Sequence, residues 1–206
     1  AAAATNLCPV TLELGGKSPA ILLDDFPMRT AAERLLFGKC FNAGQVCTTV
    51  DHLYVPEGKV SAFVDMAKTI IHGRYPTLDT ADYTSIIDER SFNRITGALQ
   101  DAKERGATLV QLIPGKAWDK RTRKIAPHVV LNAPADCELR TREIFGPVLP
   151  VIGYTDLEDV ITTINSGPRP LALYPFSNHK KKIQHLITHV MSGGVTVNDG
   201  ILHTAQ

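Results

Sequence analysis

Apolar positions along the chain change period repeatedly, from the two-residue repeat of strands to the three- and four-residue repeat of helices. Residues 10–14 and 19–23 read as short strands on either side of the break Gly15-Gly16. Residues 27–41 read as a helix with Ala31, Leu35 and Leu36 among its apolar positions. Asn42-Ala43-Gly44 then stops it with residues that tolerate unusual backbone angles. Residues 49–55 alternate like a strand and end at Pro56. Val60, Phe63, Val64, Ala67, Ile70 and Ile71 mark one amphipathic helix. Phe92, Ile95, Leu99 and Ala102 mark a second, closed by Gly106.

Residues 108–113 predict a strand, 114–124 a polar surface loop carrying Trp118, and 129–131 and 148–152 two more strands. Thr155 and Glu158 form the pattern of a capping box for a helix over 155–165, with Leu157, Val160, Ile161 and Ile164 as its stripe. Residues 171–176 predict a strand. Asn178 is the expected cap of a helix that turns Ile183, Leu186, Ile187 and Val190 inward and ends by Gly193, before a last strand over 195–197. Strands alternating with helices in this way predict an α/β domain, a largely parallel sheet flanked by helices.

Composition narrows the functional classes. The 22 basic and 21 acidic residues leave a net charge of +1, with no field to attract nucleic acid or an anionic membrane. The run Lys180-Lys181-Lys182 reads as a solvated helix face. No apolar stretch approaches the ~20 residues that span a bilayer. Ala1 to Ala4 lack the features of a signal peptide, so the cytoplasm is the expected compartment. Cys8, Cys40, Cys47 and Cys137 form no C-x-x-C pair, which favours free thiols in a reducing environment. The chain opens without Met and stops at Gln206 with no closing element, so a piece of a longer protein is expected.

Cys47 is the candidate nucleophile. It falls between the helix stop at Asn42-Ala43-Gly44 and the following strand, where a tight turn can present a thiol at the rim of a sheet beside free backbone N–H groups. The competing reading is a buried cysteine serving as a small apolar filler. Cys8, Cys40 and Cys137 lack such a setting and read as structural. Gly16-Lys17-Ser18 resembles the tail of a phosphate-binding loop, but Thr11 stands where the first glycine is required and Pro19 hinders the next helix. His185 and His189 have metal-ligand spacing without an adjacent Glu or a third ligand, so no metal site is expected. A hydrolytic pair of Cys47 with His52, His128 or His203 has no local signature.

Three motifs carry a family resemblance. Leu12-Glu13-Leu14-Gly15-Gly16-Lys17-Ser18-Pro19 is similar to the glutamate motif of the aldehyde dehydrogenase superfamily. Gly44-Gln45-Val46-Cys47 is similar to its nucleophile motif, and Glu143-Ile144-Phe145-Gly146-Pro147-Val148 to its cofactor-contact motif. They stand in family order, 34 residues from Glu13 to Cys47 and 96 from Cys47 to Glu143. The similarity covers essentially the whole chain. Arg169-Pro170-Leu171-Ala172-Leu173-Tyr174 and Gly193-Gly194-Val195-Thr196-Val197-Asn198-Asp199 resemble the coniferyl aldehyde dehydrogenase branch.

The resemblance implies that residues 1–14 end a cofactor-binding domain, 15–199 form the catalytic domain, and 200–206 begin a C-terminal return segment. It implies that Cys47 adds to an aldehyde, that a thiohemiacetal becomes a thioester as hydride passes to NAD or NADP, and that Glu13 activates the hydrolytic water. Glu143, Phe145, Leu14 and Gly15 would contact the cofactor, and the Cys47 N–H would supply half of an oxyanion hole. A small aldehyde, aromatic first and medium-chain aliphatic second, and a homo-oligomer follow by the same resemblance. The oxyanion-hole amide and a ribose-binding lysine are expected upstream of Ala1, so the chain alone is expected to bind NAD(P) weakly or not at all and to turn over no aldehyde. A non-catalytic assembly module and an NAD-independent thiol esterase are the other classes open at this point.

Overall fold

The computed structural model describes residues 2–11 and 14–201. In chain order its elements are α1 (Ala2–Thr5), β1 (Pro19–Leu22), α2 (Met28–Cys40), β2 (His52–Pro56), α3 (Val60–Arg74), α4 (Glu89–Glu104), β3 (Thr108–Gln111), β4 (Trp118–Asp119), β5 (Lys124–Ile125), β6 (His128–Leu131), α5 (Glu138–Thr141), β7 (Val148–Tyr154), α6 (Leu157–Ser166), β8 (Ala172–Phe176), α7 (Lys180–His189) and β9 (Gly194–Val195). Seven strands form one sheet in the order β3-β6-β7-β2-β1-β8-β9. Every pairing is parallel except that of β3 with β6. This is the expected helix-flanked, largely parallel α/β sheet. No helix among the described residues is long and apolar enough to cross a membrane.

Strand periodicity divides the core in two. Ala20 and Leu22 of β1 face a cluster with Leu35, Leu36, Phe63, Ile71, Phe92 and Ile95, supplied by α2, α3 and α4. Ile21 and Leu23 face the other side, with Tyr54, Val160, Ile161, Ile164, Leu186 and Val190. Strands covered on both faces need apolar residues at consecutive positions, and all of β1 and β8 is buried.

Several sequence expectations shift. The anticipated strand over 10–14 is not formed by its described residues: Val10, Thr11 and Leu14 are exposed and unpaired in any strand, because no neighbouring strand offers them a ladder. The polar loop over 114–124 contains a two-stranded ribbon, Trp118 opposite Ile125, closed by Asp119 Oδ1 accepting from the N–H groups of Arg121 and Thr122. The cap of α6 is Asp156 rather than Thr155; its carboxylate accepts from the Glu158 N–H at 2.9 Å. At α7 the cap position is His179, because Asn178 donates instead to Asp25 through both its backbone and its side chain. Ile187, expected inward, is exposed, and the last strand ends at Val195.

Since β1, β2, β7 and β8 run in one direction, the segments that enter them share one edge of the sheet. These are residues 15–18, 47–51, 143–147 and 169–171. A buried carboxylate joins the first three. Asp51 Oδ1 accepts from the Ile144 N–H at 2.8 Å, Oδ2 meets the Lys17 ammonium and lies 3.3 Å from His52 Nδ1, and the Asp51 N–H donates to Ser18 O at 2.8 Å. Lys17 also donates to Leu139 O at 3.2 Å and Arg142 O at 2.9 Å. From α4, Arg94 donates to Ile144 O at 2.6 Å.

Burial by itself would raise the Asp51 carboxyl. The hydrogen bond from His52 and the charges of Lys17 and Lys39 outweigh it and hold the group at about 2. Lys39 is buried and donates to Val50 O at 2.9 Å; burial pulls its ammonium down to about 8, against the opposing pull of Asp51. On the neighbouring loop Gly44 has φ +74°, and a Cβ there would lie 2.3 Å from Gly146 O.

Two outcomes follow for stability. The Asp51 carboxyl sits below its ordinary value of 3.8, so its stabilisation is complete above about pH 4 and fades as pH falls toward about 2. Asp51→Asn should cost about 3–5 kcal/mol in denaturant unfolding at pH 7, the usual cost of leaving one buried charge unpaired. Its deficit against the unmutated chain should shrink as pH falls through that window, and a deficit independent of pH would refute the assignment. Gly44→Ala should cost about 1–3 kcal/mol from left-handed strain and overlap. Gly58→Ala, where an added Cβ meets nothing within 4 Å, should change stability by under about 0.5 kcal/mol. Thermal melts of the pair check this.

Candidate active site

Helix α2 ends at Cys40, and three consecutive residues then take left-handed angles: Asn42 at φ 49°, Ala43 at 52° and Gly44 at 74°. For alanine such a conformation costs on the order of 1 kcal/mol, so the surroundings must impose it. Gln45 does so. Its Nε2 donates to Asn42 O at 3.0 Å and Ser85 O at 3.1 Å, while its Oε1 accepts from the Ile87 N–H at 2.9 Å. Beyond Cys47, Thr49 Oγ1 donates to Gly38 O at 3.0 Å and the Tyr174 hydroxyl donates to Thr48 O. Tyr174 is buried; burial, with Cys47 near enough to add to the effect, pushes its phenol well up.

Cys47 itself is exposed between these fixed points, not packed as an apolar filler. Cys40 and Cys137 are buried, in keeping with a structural role, and burial drives the Cys40 thiol up to about 12. Cys8, expected to be structural, is exposed because the chain around it is not packed into the sheet. Of the histidines weighed as partners for the thiol, His52 turns to Asp51 and His128 Nδ1 lies 2.6 Å from Ala126 O. His203 lies outside the described residues.

The other motifs meet across Gly15 and Gly16. The Glu143 carboxylate lies over Gly15, where an added Cβ would stand 2.0 Å from Oε2, and the Gly16 N–H donates to it. Burial raises the Glu143 carboxyl, opposed by that hydrogen bond. Gly15-Gly16 is therefore more than a turn: it is the seat of the carboxylate. Phe145 has φ 48° and is 37% exposed, so its ring is presented at the surface. Gly146 follows, and its carbonyl is the group that abuts Gly44. Thus the structure brings Gly15, Glu143 and the loops of Phe145 and Cys47 to one edge. Leu14 is 71% exposed there, and Glu13 lies outside the described residues.

Reading the sequence missed Lys17, Asp51 and Arg94, the charged side chains that bind the strand-entry loops together. A charged residue inside a strand-like segment, as in Val50-Asp51-His52-Leu53, was the one available signal. Away from this edge, His185 Nε2 lies 2.6 Å from Glu158 Oε1, and His189 Nδ1 lies 2.8 Å from His185 O. Among the described residues no group of three or more His, Cys, Asp or Glu could hold a metal ion.

The chain is 49% identical, over 206 residues, to a probable coniferyl aldehyde dehydrogenase of Pseudomonas aeruginosa, covering 100% of this chain and 42% of that protein. It is 38% identical to the dimeric NADP-preferring aldehyde dehydrogenase of Rattus norvegicus, covering 98% of this chain and 44% of that one. The substrate-bound structure of Staphylococcus aureus AldH superposes with a TM-score of 0.90 at 33% identity, over 100% of this chain and 44% of that chain. The chain thus spans less than half the length of these relatives. The sequence profile of the aldehyde dehydrogenase family matches residues 1–206. With that match added to a helix-flanked parallel sheet, an exposed cysteine on a fixed loop and a carboxylate seated on two glycines, this chain belongs to the aldehyde dehydrogenase family.

Proposed function

We propose that the whole protein oxidises an aldehyde to its carboxylic acid with NAD or NADP as hydride acceptor, and that Cys47 is the nucleophile. The observation that carries this reading is the exposed thiol held between fixed points, beside the loop of Glu143. Residues 15–199 are read as the catalytic domain, residues 1–14 as the end of a cofactor-binding domain and residues 200–206 as the start of a return segment. The relative from Pseudomonas aeruginosa supports an aromatic aldehyde such as coniferyl aldehyde as substrate. The relative from Rattus norvegicus supports a nicotinamide cofactor and a homo-oligomer.

The thiolate of Cys47 adds to the carbonyl carbon, and the carbonyl electron pair moves onto oxygen. Backbone N–H groups of the left-handed loop, that of Cys47 among them, are the local donors for that oxyanion. The bound cofactor supplies a hydride acceptor; loss of hydride from the tetrahedral adduct leaves a thioester on Cys47. Glu13 takes a proton from water, the water oxygen attacks the thioester carbon, and the C–S bond breaks to return the thiolate and release the acid. The residues present fit the cofactor. Glu143 is an acceptor for ribose hydroxyls, held by the Gly16 N–H. The exposed Phe145 ring offers a flat apolar surface, Gly15 lies against the Glu143 carboxylate, and Leu14, next to Gly15 in the chain, is exposed.

In the full-length protein, Cys47→Ala should abolish the burst of NAD(P)H and lower turnover by on the order of 10³-fold or more. Glu13→Gln should keep the burst and slow the steady state that follows it. Glu143→Gln should act mainly on the cofactor KM and the hydride step. Unchanged turnover in both Cys47→Ala and Glu13→Gln would replace the enzyme by an assembly module. Ester hydrolysis at full rate without cofactor would replace it by a thiol esterase.

A further inference from the structure

The side of the sheet that carries α6 and α7 has an opening that the proposed reaction does not use. It is a cavity of about 400 Å3, a size that suits a small organic molecule. Lys17, His52 and Arg140 give it basic walls, Tyr54, Ile164 and Pro170 give it apolar ones, and none of its lining residues is acidic.

The three basic groups differ in what they have left to offer. Lys17 is committed to Asp51 and to the carbonyls of Leu139 and Arg142. His52 faces Asp51 through Nδ1, and burial lowers its hold on a proton. Arg140 is partly buried, yet among the described residues its guanidinium makes one hydrogen bond, from Nη1 to Ala133 O at 3.4 Å, and no ion pair. A guanidinium carries five N–H donors and keeps its charge throughout the pH range of a folded protein. Leaving most of those donors unpaired in a part-buried place is costly unless water or a ligand takes them. Glu57, Asp156 and Asp159 line an adjoining opening that Arg140 also borders, and none of them forms an ion pair with it.

We propose that this cavity binds a small organic monocarboxylate, its two oxygens paired with the Arg140 guanidinium and its apolar body set against Tyr54, Ile164 and Pro170. One available guanidinium matches the single charge and planar fork of a carboxylate. The second charge of a phosphate would find no second uncommitted cation, since Lys17 is held by Asp51, Leu139 O and Arg142 O, and the hydroxyls of Thr141, Thr163 and Ser166 donate to backbone carbonyls. The site shares a wall with the active edge, since the Lys17 that lines it also holds Arg142 O, one residue ahead of Glu143. The acid released in the proposed reaction belongs to this ligand class; that link rests on the proposed reaction, whereas the cavity does not.

The test is titration of benzoate into the purified chain, followed by calorimetry and by amide chemical shifts. The expected result is saturable one-site binding with shifts at Thr141 and Gly167, weakened at least tenfold in Arg140→Gln. Thr163→Phe, which adds bulk at another wall of the same cavity and leaves Arg140 in place, should weaken it similarly, and the uncharged isostere benzamide should not compete. Circular dichroism melts establish that each variant is folded, and the second variant keeps the test decisive should the first unfold. Absence of saturable binding, benzoate affinity unchanged in a folded variant, or inorganic phosphate binding as tightly as benzoate would each overturn the proposal. Every readout is binding by the chain itself, so this idea and the aldehyde reaction fail or stand separately.

Discussion

A carboxylate removed from water stays ionised only where its surroundings supply the charge and the donors that water gave it. Asp51 receives both from stretches far apart in the chain: an N–H from Ile144, an ammonium from Lys17 and an imidazole from its neighbour His52. Replacing such a group by an apolar one of similar volume often costs little stability. What the apolar group could not do is fix which backbone N–H of residues 143–147 meets which point of residues 47–51. The position of Glu143 relative to the Cys47 loop depends on that pairing, and Arg94 locks it from the helix side through Ile144 O.

In open α/β sheets ligands commonly settle at the carboxyl ends of the strands, where helix N-termini gather. The edge occupied by Cys47, Gly15 and Glu143 is the opposite one, where β1, β2, β7 and β8 begin. Helix α2 runs into this edge with its carbonyl end, so its dipole offers nothing to a developing oxyanion. Under the proposed reaction the anion-stabilising donors are then local N–H groups, and a loop with left-handed residues is a way to turn them outward. That gives a physical reason for the run of positive φ at Asn42, Ala43 and Gly44, and for the three hydrogen bonds that Gln45 spends on holding it.

Much of the fold was legible because burial on both faces of a parallel sheet writes itself into periodicity. Helices α2, α3, α4 and α6 and the central strands fall where their apolar spacing puts them. The failures share one cause: local pattern does not report partners. Residues 10–14 alternate like a strand, but their described members Val10, Thr11 and Leu14 have no neighbouring strand, and Asn178 has the chemistry of a cap but is bound to Asp25. The site divides along the same line. Cys47 stands out locally, by its place between a helix stop and a strand. Glu143 and Phe145 were found only through the family motif. Asp51, Lys17 and Arg94 escaped because their partners lie 93, 34 and 50 residues away.

Glycine shows how far a local reading can fall short. Gly15-Gly16 looks like punctuation between strands, and a turn would need nothing more. In the folded chain the missing side chain of Gly15 is the space that the Glu143 carboxylate fills, and the N–H of Gly16 is its donor. Three residues beyond Glu143, the Gly146 carbonyl abuts the place where Gly44 lacks a Cβ. The seat of the carboxylate and the turn that presents the thiol are thus linked by close backbone contacts, with no flexible side chain between them to absorb a displacement. A methyl group at residue 15 would push Glu143 off its donor, and one at residue 44 would push Gly146 away from the thiol loop. The spacing of the Cys47 and Glu143 loops is set by what these positions omit.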